Sequence, residues 1–167
     1  MIKQCFKNID FRILWGAGCM TGIARAMEFL ALSLFALQEL GLPYLVTIIF
    51  AARMLPMSLL GIVIGTISER ISPISVIKFI YTLSNISTGI AILLVFTDKF
   101  NVIFAFLLAF INGITWVVDL AVRRRVLADN IDQNLLSSSL AMETLSNNAT
   151  RLIGPLCAGS LSALLGL

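Results

Sequence analysis

The chain has 167 residues, of which 59% are hydrophobic and 13% charged, with 12 Lys and Arg against 9 Asp and Glu for a net charge of +3. Soluble domains are about half apolar and about one quarter charged, so this composition excludes an ordinary soluble domain and specifies an integral membrane protein. The absence of histidine removes the commonest metal ligand and general base, and the surplus positive charge is assigned to membrane-flanking segments rather than to a nucleic-acid surface.

A bilayer core of about 30 Å is crossed by about 20 mostly apolar residues in a helix. The first such run covers residues 12–37. Lys3, Lys7 and Arg12 give it a positive start, but Arg25 and Glu28 interrupt it and no small-residue cleavage site follows at a suitable distance, so it reads as a retained helix rather than a signal peptide. Gly41 and Pro43 mark a tight turn before the second run, 43–67. A polar cluster at Glu69 and Arg70 separates it from the third run, 74–96, which begins just after Pro73, a residue suited to the first turn of a helix. Thr97, Asp98 and Lys99 break the chain before a fourth run, 101–122. Arg123, Arg124 and Arg125 are expected to end that run, and Asp129 to Asn134 to form a polar loop before a fifth, 135–165. The expected architecture is all-α: five transmembrane helices with short loops in a single membrane domain, 1–167, with no soluble domain. The chain stops at Leu167 with no polar tail, which reads as a truncated product or an incomplete sequence.

Lys and Arg alternate between loops: three before the first run, none in the first loop, Arg70 and Lys78 in the second, Lys99 in the third, and three arginines in the fourth. The positive-inside rule then places the N-terminus in the cytoplasm of a multi-pass protein of the plasma (inner) membrane. Cys5, Cys19 and Cys157 are far apart and fit no zinc or redox spacing. No nucleophile–base pair, metal cluster or cofactor motif is present, so the expectation is a protein that is not an enzyme and needs no metal or cofactor.

Seven polar residues within or near the runs carry the functional expectation: Arg25, Glu28, Arg53, Asp119, Glu143, Asn147 and Arg151. A charge at the bilayer centre costs about 2.5–3.5 kcal/mol on insertion scales, so each charged member needs a partner or water. Three are cations and three anions, which permits mutual pairing. Thr21, Arg25 and Glu28 recur at i, i+4, i+7 and share a face of the first helix, while Glu143, Asn147 and Arg151 recur every fourth residue along the fifth. Two readings stand: interhelical ion pairs that hold a bundle, or the lining of a pathway for a small-molecule substrate and a coupling proton. Glu28 is the proton-carrier candidate, because an apolar setting raises a carboxylate pKa, although nearby Arg25 opposes the rise.

Two motifs stand in register with these runs. Gly65-Thr66-Ile67-Ser68-Glu69-Arg70 resembles the signature G-x-x-x-D-R-x-G-R-R of the major facilitator superfamily, with Glu69 for the Asp and the later Gly and two basic residues replaced by Ser72, Pro73 and Ile74. Gly154-Pro155-Leu156-Cys157-Ala158-Gly159 is similar to the G-P-x-x-G-G motif in the fifth helix of that superfamily's exporters, departing only at Ala158. The resemblance covers the whole chain as roughly the first five of twelve helices, an incomplete six-helix half bundle, and its later part is similar to siderophore- and drug-exporter-like members.

The resemblance implies a secondary transporter of small molecules working by alternating access, with export coupled to protons. In such a bundle the first and fourth helices line the cavity, the second and fifth flank it, and the third is peripheral. A carboxylate–arginine link at the cytoplasmic ends, here Glu69 with one of Arg123 to Arg125, is implied to latch one state of a two-state equilibrium. A solvated positive anchor is the plain alternative for those arginines, and Asp119, one turn before Arg123, competes for it. Gly18-x-x-x-Gly22 and Gly61-x-x-x-Gly65 are small-residue spacings that read as helix packing. The implied partners are the lipid bilayer, a small-molecule substrate and a missing C-terminal half, without which no transport is expected. A small membrane protein or decayed remnant that binds partner helices without transport is the alternative.

Overall fold

The computed structural model describes residue 6 and residues 9–38, 41–68, 72–131 and 133–165, with backbone only at 10, 38, 60–68, 134, 161, 162 and 165. Among them the chain forms five α-helices: α1 (Ile9–Gln38), α2 (Pro43–Ser68), α3 (Pro73–Phe96), α4 (Val102–Asn130) and α5 (Gln133–Leu165). The described residues include no strand. This all-helical order is the expected one, because a backbone crossing hydrocarbon must satisfy its N–H and C=O groups within each segment. By length and composition α1 (over Phe11–Leu37), α3 and α4 are membrane-span candidates, and Pro43–Leu59 of α2 is a shorter apolar helix. α5 is long enough but dilutes its apolar residues with Ser137 to Ser139, Glu143, Asn147, Asn148 and Arg151.

Boundaries differ from expectation at the start of α1, which begins at Ile9, and most of all between α4 and α5, where the polar loop expected at Asp129 to Asn134 is largely helical: Asp129 and Asn130 belong to α4, and Gln133 and Asn134 to α5. α4 does not end before the arginines but continues through Arg123–Arg125 to Asn130. Arg, Leu and Ala are strong helix formers, and Leu127, buried with Phe11, gives the extension an apolar face to pack. The loops behave as local chemistry dictates. Gly41 takes φ +62, which costs glycine little, and Asp98 takes φ 53 after the α3 C-cap Thr97. Asn101 caps α4, its Oδ1 accepting the Ile103 N–H at 3.0 Å and the Phe104 N–H at 3.2 Å.

The fold divides into two compact units. The first comprises Met1–Ala31 with Arg124–Leu167, the second Leu32–Arg123. In the first unit α1 and α5 run parallel. The Trp15 indole N–H donates to Ser146 Oγ at 2.8 Å, Gly22 abuts Thr150, and Gly154 abuts Ala26 and the Ile23 carbonyl. Phe6 packs edge-on to Phe11 and Trp15 at the start of α1, joined by Leu127, Leu135 and Leu140. The second unit is centred on Leu32, Ala36, Leu45, Ile49, Ala52, Ala105, Leu108 and Ala109. Ala105, Ala109 and Gly113 recur every fourth residue, and such small residues let helix backbones approach closely in lipid.

Candidate functional site

In the second unit α3 and α4 are antiparallel neighbours, and their contact carries a column of polar groups. Ser84 Oγ donates to Asn112 Oδ1 at 3.1 Å. Two turns further along α4, Asp119 Oδ1 accepts from the Tyr81 hydroxyl at 2.9 Å and from Arg123 Nε at 2.9 Å. Arg123 Nη2 in turn donates to the Tyr81 oxygen at 3.1 Å, which closes a three-membered ring. Asp119 and Arg123 are each 3% exposed, so this is a buried ion pair. Its geometry meets what burial demands: the carboxylate oxygen receives two donors, and the guanidinium has two acceptors.

The sequence anticipated half of this ring. The i, i+4 pair of Asp119 and Arg123 is present at 2.9 Å. Tyr81 was missed because a search for charges passes over a hydroxyl, and α3 carries no charge beyond Lys78 before its far end. A usable signal existed. Lys78, Tyr81, Ser84 and Ser87 recur every third residue, a spacing that puts neighbouring members on one side of the helix.

The second feature of this unit joins α2 to α4. The Arg53 guanidinium carbon lies 5.7 Å from the Trp116 ring centroid, within cation–π range, and both side chains are half-buried. Just beside them the backbones touch. A Cβ on Gly113 would collide with the Arg53 carbonyl oxygen and stand 3.1 Å from Pro56 Cγ. Pro56 is fully buried inside α2, where its ring displaces the helical hydrogen bond to the Ala52 carbonyl. Arg53 is therefore held at a tight and locally bent crossing.

The remaining expected residues distribute as follows. Arg25 and Glu28 are half-buried on α1, Glu143 is buried on α5, Asn147 is half-buried and Arg151 is exposed. Gly154 is a close-contact point between α1 and α5, whereas a Cβ at Gly159 meets nothing within 4 Å, and Pro155 lies inside α5 without ending it. Arg124 is exposed, and Arg125 Nε lies 3.7 Å from Asp129 Oδ2, a loose and largely solvated pair. Gly65 lies in α2, while Glu69 and Arg70 fall outside the described residues. No group of His, Cys, Asp and Glu among the described residues has the arrangement of a metal site.

Comparison with known proteins adds one finding. A family profile of the major facilitator type, described as a transmembrane secretion effector, matches residues 4–167. No curated protein and no solved structure gives a significant match.

Proposed function

The chain belongs to the transmembrane secretion effector family of major facilitator transporters, and from that premise we propose that it exports small molecules in exchange for protons by alternating access. The observation that supports this reading is the buried ring of Tyr81, Asp119 and Arg123 in helices of membrane-spanning length. A charged pair buried among helices is expensive, and one built with a closed set of hydrogen bonds favours a single arrangement of α3 and α4. A conformation that opens the ring is correspondingly disfavoured, so the ring acts as a latch on the rocking equilibrium.

Glu28 takes the role of proton carrier in this reading, with Arg25 one turn before it on the same face of α1. Export rather than uptake is favoured by the family's description and by the helix-five segment Gly154-Pro155 to Gly159. A cycle of this kind rocks one bundle against another, so these helices work with a second bundle and do not transport by themselves. The protein catalyses no covalent change, and its N-terminus lies in the cytoplasm of the inner membrane.

The test uses everted vesicles from cells expressing the gene in its native frame, with a pH-sensitive dye and a panel of small organic molecules. At least one compound collapses an imposed pH gradient, and Glu28→Gln abolishes that collapse at unchanged protein level. Normal flux in the variant removes the proton assignment, and a panel without any response removes the export reading.

A further inference from the structure

Beyond the polar column, toward the turn that joins α3 to α4, the two helices leave an apolar groove of about 140 Å³ between them. Leu108 belongs to the buried core of this unit, and Ala91 and Phe100 pack against that core, so the groove has a fixed floor. Phe35 holds Phe100 from the other side, edge-on with ring centroids 4.8 Å apart. Leu94, Phe104 and Leu107 continue the lining, and the last two are exposed along its open side. Ser87 is the one polar side chain among the lining residues, and its hydroxyl donates to the Ser84 carbonyl at 2.9 Å within its own helix. Such a groove suits an apolar guest. A closed apolar cavity of about 150 Å³ stays dry and takes apolar ligands, and a lining left bare forfeits its dispersion contacts.

Placement says which guest. α3 and α4 are both of membrane-spanning length. The lining runs from residue 87 to 94 on α3 and from 104 to 111 on α4, about 10 Å along the helix axes or about a third of the hydrocarbon core. It therefore follows the direction in which lipid tails lie, and it begins at the turn, at a membrane face. Two opposite charges stand at that end. The Lys99 N–H donates to the carbonyl of Leu94, a lining residue, at 2.9 Å, and the Asp98 N–H to the Val95 carbonyl at 3.1 Å. Both side chains are exposed. An adjacent ammonium and carboxylate complement a headgroup bearing both a phosphate and an ammonium, whereas a purely anionic headgroup meets Asp98 as a like charge.

We propose that the α3–α4 groove holds one acyl chain of a zwitterionic phospholipid, with the headgroup phosphate at Lys99 and a primary ammonium at Asp98. The site needs only a bilayer and stands whether or not the chain transports.

Photolabelling tests it. The protein is placed in nanodiscs with phosphatidylethanolamine or phosphatidylglycerol carrying a diazirine in the upper half of one acyl chain, and labelled residues are mapped by peptide mass spectrometry. With the ethanolamine lipid, Leu94, Phe104 and Leu107 take up label in about fivefold excess over Ile92 and Ile103, which are exposed on the same helices outside the groove. Ala91→Trp fills the groove and removes the excess, whereas Ile92→Trp adds an indole outside it and leaves the excess unchanged. Asp98→Asn and Lys99→Gln each lower the excess by about threefold or more, and the glycerol lipid labels the groove less than the ethanolamine lipid by a similar factor. Asn tolerates the positive φ of Asp98, so these turn variants carry the test should Ala91→Trp lose its helical circular dichroism. Even labelling around α3 and α4, an excess that survives Ala91→Trp, equal labelling by the two lipids, or an unchanged excess in both turn variants overturns the proposal. So does a helical protein whose groove takes no label, which would mean that another protein segment fills it.

Discussion

Tyr81 holds two opposite partners with one oxygen, donating to Asp119 and accepting from Arg123. Tyr81→Phe removes both bonds while keeping the ring's bulk. Interhelical hydrogen bonds in membranes are worth about 0.6 kcal/mol on average and about 1.7 kcal/mol at most, and the loss of stability is expected in that range. Asp119→Asn leaves Arg123 buried without its countercharge, and the expected loss rises to about 3 kcal/mol or more. Reversible unfolding in mixed detergent micelles measures both. Because the two changes act on one ring, the double variant is expected to fall short of the sum of the singles. Simple additivity would mean that the three groups do not act together.

Helix packing depends on positions where a side chain has no room. Gly113→Leu drives a large side chain into the Arg53 carbonyl and Pro56, and an overpacked contact costs about 1–3 kcal/mol. The two glycines of the helix-five segment divide sharply despite their shared motif. Gly154→Ala meets Ala26 and the Ile23 carbonyl and should destabilise the α1–α5 contact, whereas Gly159→Ala meets nothing within 4 Å and should pack without loss. Thermal denaturation of the two variants in one detergent checks this, and equal melting temperatures would refute the assigned α1–α5 contact. Asn101→Ala removes the acceptor for two N–H groups at the start of α4 and is expected to lose about 1 kcal/mol, read by the same assay.

Across the whole chain, the parallel run of α1 and α5 and the antiparallel run of α3 and α4 accord with helices that alternate direction through a bilayer. Single cysteines placed at Gly41, Asp98 and Gln133 in a background without the native three report this. With the N-terminus in the cytoplasm, positions 41 and 98 react with an impermeant maleimide from outside intact cells, and position 133 reacts only after permeabilisation. The opposite pattern would invert the orientation, and one shared pattern would show that α4 does not cross.

Apolar runs of membrane length and the turn chemistry at Gly41, Pro43 and Pro73 determined the all-helical class and the order of the helices among the described residues from sequence alone. Backbone groups in hydrocarbon have few alternatives to helix, so local composition suffices there. The helix-five motif and the Gly65–Arg70 signature likewise identified the family, because they depend on spacing along one strand of chain. Helix extension past Arg123 was not legible, since it depends on Leu127 packing with Phe11, a partner distant in sequence. The ring escaped for the same reason. Asp119 and Arg123 are four residues apart on one helix and could be paired by counting, but Tyr81 reaches them only because α3 lies antiparallel to α4. The same holds for Arg53 on Trp116 and for Gly113 beneath them: the residues are visible in the sequence, and their meeting is a property of the packed helices. Local backbone chemistry is written residue by residue, whereas contacts between helices depend on rotation and register that only packing sets.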